Sequence, residues 1–370
     1  MNGCGMYSFG RALRVTLFGE SHGAGVGAVL DGLPAGIPFS ADDVTAALAC
    51  RRPSGDTATE RHEPDRWILQ GGVYCGMTSG TPLAIFIPNE DIRNDDYDDS
   101  LTLPRPGHAD YPVHIRMGGY EDPRGGGAFS GRVTAALVAV GAVVGAFLGQ
   151  HGIAVGTHVL SVGGVADEGR FPDMSAGDLR AALSALRTSA FPVLSPAAGE
   201  RMRAEILCAK VDGDSLGGIL EGAVVGLPVG VGEPFFDSVE SMISHALFSV
   251  PSIKGVEFGD GFALSAMRGS EANDPYRTDG KNIYTMSNHA GGTLGGLTNG
   301  APVIFRAAIK PTPSIAKTQK TVNLRSGENA NISVCGRHDP CIAPRAAAVV
   351  TAVTALAVGD LLLRIDGGRA

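Results

Sequence analysis

The chain has no block of Lys or Arg. Its 30 basic residues are outnumbered by 38 acidic ones, giving a formal charge of −8 and a sequence pI near 5.6. An acidic chain without a basic patch argues against nucleic acid and anionic membrane surfaces as partners, because both bind through clustered cations. None of the six cysteines (Cys4, Cys50, Cys75, Cys208, Cys335, Cys341) forms a CxxC pair, and no His/Cys cluster has zinc-ligand spacing. No metal site is therefore expected. Dispersed thiols in a chain of 370 residues fit a reducing, cytoplasmic setting. The sequence does not open on a basic region followed by an apolar core, so no secretory leader is expected. The 53 glycines are about twice the usual share of roughly 7%, yet they follow no period. With 44% hydrophobic residues as well, neither collagen nor disorder fits. No linker interrupts the composition, which points to a single domain over residues 1–370.

Two long apolar runs stand out: residues 133–149, which carry no charge, and residues 346–363. Both are long enough to raise the question of a membrane span. Small residues fill both and Asp360 interrupts the second, so buried core helices are predicted instead. Alternation predicts a strand at 14–18 and an apolar, β-prone run another at 26–30; a helix follows over 42–50 capped by Ser40, then strand–turn–strand over 61–87. The acidic stretch 89–99 lacks the glycine and final glutamate of a calcium loop and reads as a solvated flap. Beyond it the pattern predicts a β-rich run at 152–163 and a surface helix at 178–187. A helix followed by a strand is expected within 195–212, and a glycine-punctuated strand within 214–225. The remainder reads as a helix over 235–248, a turn at 254–261, a strand at 302–310 and an apolar helix from Arg345 onward.

The polar residues with chemical potential sit on loops made of glycine and proline. His22 falls in a tight turn between two strands. Arg51-Arg52-Pro53 ends the first helix, where adjacent guanidinium groups could cap carbonyls or hold a phosphate. Arg105 and His108 share a Pro-Gly turn, followed by Gly125-Gly126-Gly127, Ser130 and Arg132 ahead of the first apolar run. Glycine lets backbone N–H groups approach a ligand, and a following helix N-terminus favours anions. The whole reads either as an anion-binding catalytic loop or as a glycine-rich turn before a core helix. Each half of the chain also carries an arginine (Arg132, Arg345) just before an apolar helix rich in Ala and Val. That pattern points to a duplicated α+β unit with two central helices packed together.

Six segments then carry a resemblance. They are Gly19-Glu20-Ser21-His22-Gly23 with residues 31–34, then Arg105-Pro106-Gly107-His108-Ala109-Asp110-Tyr111, residues 255–262, residues 287–292, residues 310–316, and residues 336–341. In this order, and over nearly the whole chain, they resemble the chorismate synthase family. The resemblance implies an α+β fold, a β-α-β sandwich with central helices between two antiparallel sheets, assembled as a homotetramer. It also implies a lyase that converts 5-enolpyruvylshikimate 3-phosphate into chorismate and phosphate by anti 1,4-elimination, using reduced FMN without net redox change. Some family members reduce their own FMN with NADPH, and no obvious insertion for that function is visible.

The resemblance gives the residues roles. His22 would assist the departing phosphate, His108 would protonate or stabilise the reduced flavin ring, and Asp339 would help remove the C6 proton. Asp339 could equally cap the helix after Pro340. Ser21, Arg51, Arg105 and Arg337 would face the anionic substrate. Ser130, Arg132, Ser252, Gly295, Lys310, Pro311, Thr312, Pro313, Ser314 and Arg337 would contact FMN. The sequence departs from the family pattern at Ala128, Phe129 and Val133, at Thr57, where the family has an arginine (Arg61 could substitute by folding back), and at Thr351, where it generally has a glutamate. One lost charge-assisted phosphate contact costs about 1.5–3 kcal/mol. The departures leave a second expectation open, a diverged paralogue that binds flavin or an anionic metabolite without this turnover.

Overall fold

The computed structural model describes residues 7–59, 63–91, 102–334 and 339–366. Its first sheet forms where alternation is clearest. β1 (Ser8–Phe9), β2 (Arg14–Gly19), β3 (Gly25–Asp31), β4 (Ile68–Gly71) and β5 (Leu83–Pro88) pair antiparallel in the order β1-β2-β3-β5-β4. On β5, Leu83, Ile85 and Ile87 point inward and are at most 1% exposed, as a period of two requires. The second sheet runs β9-β10-β8-β6-β7. It is built from β6 (Ala154–Val162), β7 (Val165–Ala166), β8 (Gly218–Val225), β9 (Ile253–Phe258) and β10 (Val303–Ile309), again all antiparallel.

Without their short edge strands, the two sheets have the same topology. Each places its first, second, fourth and third strands side by side: β2-β3-β5-β4 and β6-β8-β10-β9. A helix lies between the second and third strands of each half, α1 (Ala41–Arg51) and α6 (Val239–Phe248). An apolar helix follows the fourth, α3 (Thr134–Gln150) and α8 (Ala343–Asp366). α3 and α8 pack on each other between the sheets, α3 against β3 and β5, and α8 against β6 and β8. The expected sandwich and internal repeat are therefore both present.

The two apolar runs are core helices, with 72% and 83% of their most apolar windows buried. Small residues allow their close approach. A Cβ on Gly141 would lie 2.7 Å from Ala352 Cα, far inside van der Waals contact. Asp360, fully buried on α8, is retained because its Oδ1 accepts the backbone N–H groups of Arg11, Ala12 and Leu13 at 2.7–2.9 Å. Its Oδ2 accepts from Arg364 at 2.6 Å. The carboxylate thus ties the entry to β2 onto the last helix. Asp360→Ala is expected to destabilise the protein by about 3–5 kcal/mol, since three backbone donors, that of Leu13 fully buried, lose their acceptor and Arg364 keeps only Asp237 of its two close carboxylate partners. Thermal melting would read that loss, and an unchanged midpoint would show the tie to be dispensable.

Two expectations were wrong. Residues 195–212 hold no strand. Ser195 accepts from the Ala198 N–H and Pro196 starts α5 (Pro196–Val211), an unbroken helix whose Ala198, Met202, Ile206 and Ala209 form one buried face. Residues 254–261 are not a simple turn either, because β9 occupies most of them. Its pairing with β10 overrides the turn signal of Gly255, while Gly259 does turn the chain at φ +56°. α4 (Ala176–Leu186) is the expected surface helix, burying Leu179 and Leu183 on the outer face of the second sheet, and the one-turn α7 (Gly269–Ala272) lies between β9 and β10 in the chain. Most of the acidic stretch, together with Arg61, Arg337 and the other residues of 335–338, lies outside the described residues.

Candidate active site

The site is organised by three consecutive glycines with left-handed backbones. Gly125, Gly126 and Gly127 have φ of +59°, +83° and +53°, a run that L side chains do not adopt. Each also faces something that leaves no room for a Cβ. One on Gly125 would lie 2.6 Å from His22 Nδ1 and 3.0 Å from Ser21 Oγ. One on Gly126 would lie 3.0 Å from His108 Cε1 and 3.3 Å from His108 Nε2. One on Gly127 would overlap the Asp122 carbonyl. Neighbouring glycines of one tract thus receive the two imidazoles, although 86 positions separate His22 from His108 in the chain.

His22 reaches the tract from the turn after β2. The Ser21 N–H donates to the Gly127 carbonyl at 3.1 Å, and the Asn89 side chain ties down the Glu20 and Gly23 carbonyls at 2.9 Å each. The His22 ring is 6% exposed. His108 comes from the turn before α2 (Asp110–Met117). Its Nδ1 lies 2.5 Å from Asp110 Oδ1, and Arg105 gives Asp110 its backbone N–H, Nε and Nη2 at 2.8–3.0 Å. Burial raises the Asp110 carboxyl, but hydrogen bonds from Arg105 and His108 outweigh it and hold the group well below the usual carboxylate range. A carboxyl lowered in this way stabilises the fold above that range, and the stabilisation is lost as pH falls through it.

Lys310 to Ser314 close over the same turn. Ser314 Oγ accepts from Arg105 at 3.2 Å, Pro313 packs 3.4 Å from the Cβ position of Gly107, and Lys310 donates to the Gly107 carbonyl. Burial, then neighbouring Lys254, pushes the Lys310 ammonium down from its ordinary value. Ser252, at φ +76°, accepts the Lys310 N–H through its carbonyl at 2.9 Å. Beside His108 opens a cleft of about 410 Å³, lined by His108, Asp110, Asp122, Gly126 and Phe129 among others.

A second constellation lies at the far end of the same loop. Asp65, at φ +51° and 3% exposed, accepts from both Arg132 and Arg51, the latter at 3.5 Å. Arg132 also donates to Asn89 at 2.9 Å and to the Pro88 carbonyl at 3.1 Å. Arg51 donates to Thr134 at 3.0 Å and to the Gly131 carbonyl at 2.9 Å. Burial, then Arg345, lowers the Arg51 guanidinium to about 9, against the raising effect of Asp65. Arg345 bridges onward from the Arg51 carbonyl, at 2.8 Å, to the Asp339 carboxylate, whose other oxygen accepts the Thr59 N–H at 3.0 Å. Asp339 therefore bonds across the site and does not cap α8.

Comparison with known proteins decides the family. A family model described as chorismate synthase matches residues 13–363. The chain belongs to the chorismate synthase family. It is 46% identical over 360 residues to the chorismate synthase of Korarchaeum cryptofilum, covering 96% of this chain and 97% of that one. It is also 46% identical to that of Chitinophaga pinensis over 359 residues, covering 97% of both. A crystal structure of chorismate synthase, 31% identical, superposes with a TM-score of 0.76 over 96% of this chain and 93% of its own.

The departures from the family pattern now have places. Thr351 donates to Thr157 at 3.0 Å between α8 and β6, so it serves the core. Thr57 is buried beside Arg345 in a smaller cleft of about 280 Å³. Val133 is buried at the start of α3, while Phe129 faces the larger cleft. Gly295 turns the hairpin Thr293–Leu294/Leu297–Thr298 with φ +61°, and this hairpin docks on the start of α6 through the Gly296 carbonyl and the Val239 N–H. The structure thus gathers Ser21, His22, Arg105, His108, Lys310, Pro313, Ser314 and Ser252 around one end of the loop. Ser130, Arg132, Arg51 and Asp339 gather at the other. Among the described residues no hydrogen bond or ion pair joins Asp339 or Gly295 to the two histidine turns. Sequence reasoning missed Asp110, Asp65 and Arg345 as site residues. Asp110, two positions after His108, was the one a spacing argument could have reached.

Proposed function

We propose that the triglycine tract and the two histidine turns form the catalytic centre of this chorismate synthase-family lyase, with Asp339 and the arginine cluster completing it. The reaction removes phosphate and a C6 hydrogen from 5-enolpyruvylshikimate 3-phosphate and releases chorismate. The observation that carries the reading is the meeting of His22 and His108 on Gly125 and Gly126. A departing phosphate needs a proton or a cation beside its oxygen. His22, nearly buried, would supply it on the Gly125 side. His108 would hold a proton at the cleft, and Asp339, fixed by Arg345 and the Thr59 N–H, would act at the C6 side.

The residues fit a flavin. Phe129 gives the cleft beside His108 an aromatic wall, and Lys310 supplies a cation on the adjoining loop. Thr312 Oγ1, on the Lys310 loop, is buried without a hydrogen-bond partner among the described residues, a donor available to a bound group. Reduced FMN would lend electron density while phosphate departs and take it back as the hydrogen is removed. Ser130, Arg132, Ser252, Gly295 and the 310–314 loop are the contacts proposed for it. Ser21, Arg51 and Arg105 are those proposed for the substrate, and Arg337 for both. Arg51 and Arg132, at 4% and 5% exposed, would act chiefly by holding the loop and by their charge. We further propose a cytoplasmic homotetramer acting as one domain per chain. Its assembly is supported by apolar side chains left in water, among them Phe236, Phe262 and Ile283 at 92%, 83% and 72% exposure.

The test is anaerobic: purified protein, reduced FMN and 5-enolpyruvylshikimate 3-phosphate should yield phosphate and chorismate together. Flavin binding without phosphate release would overturn the reading in favour of a binding paralogue. NADPH oxidation dependent on FMN would report whether the chain reduces its own flavin. Asp339→Ala should lower turnover by about 10²–10⁴-fold at unchanged flavin affinity, and wild-type turnover in that variant would remove Asp339 from the chemistry.

A further inference from the structure

We propose that Asp110 is the positioning residue of His108, fixing Nδ1 as the bonded nitrogen and leaving Nε2 to exchange a proton with what occupies the cleft. This rests on the role given to His108 above. A carboxylate only accepts hydrogen bonds, so the 2.5 Å contact between Asp110 Oδ1 and His108 requires the proton on Nδ1. Asp110 cannot turn away. Its Oδ2 accepts the Arg105 backbone N–H at 3.0 Å and Nε at 2.8 Å, while Oδ1 also accepts Nη2 at 2.8 Å. Arg105 is anchored in turn to the buried Ser314 hydroxyl at 3.2 Å. With Nδ1 engaged, the Cε1–Nε2 edge of the ring is the one against Gly126, where the missing Cβ leaves it open. Arg105 Nη2, 3.1 Å from Nδ1 and 3.3 Å from Nε2, lies over the ring face and so leaves the Nε2 lone pair free of it. Arg105 thus braces the Asp110–His108 pair in addition to its proposed place facing the substrate.

The test combines a spectrum and a rate on the full chain. Nitrogen-15 labelling of the histidines in wild-type protein should show His108 with its proton on Nδ1. In Asp110→Asn, which keeps the volume, and in Asp110→Ala, the pattern should change to a mixture of Nδ1–H and Nε2–H forms. Turnover should fall by about 10–100-fold, as when the partner orienting a working imidazole is lost, with KM for the substrate and flavin affinity nearly unchanged. Asp110→Glu should recover part of the rate. Wild-type protein with the proton on Nε2, or an Asp110→Asn enzyme with unchanged spectrum and unchanged rate, would overturn the proposal. If wild-type protein released no phosphate, the lyase reading would fail, while the spectrum would still decide the tautomer.

Discussion

His108→Ala is expected to lower turnover by about 10²–10⁴-fold, the range for removing a positioned acid or base, while melting stays within a few degrees of wild type. The ring edge that lines the cleft carries the function, and its loss cannot be made good by a neighbour, because Arg105 is bound to Asp110 and Ser314. The fold should tolerate the change. Asp110 keeps three donors from Arg105, so no buried carboxylate is orphaned and the usual penalty of about 1–3 kcal/mol does not arise. Single-turnover phosphate release with excess reduced FMN, alongside thermal melting and flavin titration, measures all three. A variant that melts normally, binds flavin and turns over at the wild-type rate would remove His108 from the reaction.

The local pattern was legible where one residue decides one feature. Ser40 accepts from Asp43 at 3.1 Å as the cap of α1, alternation marked β2, apolar β-prone runs marked β3 and β10, and the two long apolar runs became α3 and α8. Strand order was not legible, since it depends on which backbones pair across distant segments. In α5 the charged Glu200, Arg201 and Arg203 fall in sequence between the positions of the buried face, which hid a helix continuing to Val211. At the site, the short motifs located His22 and His108 but not their meeting, which is set by the φ values of three glycines. The inward turn of Arg51 and Arg132 was equally out of reach. A guanidinium's partners are fixed by burial, and the sequence offers no sign that Asp65 will lie between them.

Gly125→Ala is the sharpest test of that geometry. A left-handed backbone costs an alanine about 1–2 kcal/mol, and its methyl group would lie 2.6 Å from His22 Nδ1 and 3.0 Å from Ser21 Oγ. Neither side chain can retreat easily. The Ser21 N–H is bonded to Gly127, and Asn89 clamps the carbonyls on both sides of the turn. The ring must rotate or the tract must shift, and either displaces His22 relative to His108 by about an ångström. A misplacement of about 1 Å can cost roughly 10²-fold in rate. Turnover should therefore fall at least about a hundredfold, with a stability loss of about 1–3 kcal/mol from strain and overpacking. Gly131→Ala is the control. A Cβ there meets nothing within 4 Å, and its carbonyl would still accept from Arg51 and Thr134. Turnover in this variant should stay near wild type. If the two variants behave alike, the tract does not position the imidazoles, and the two histidines meet there without consequence for the rate.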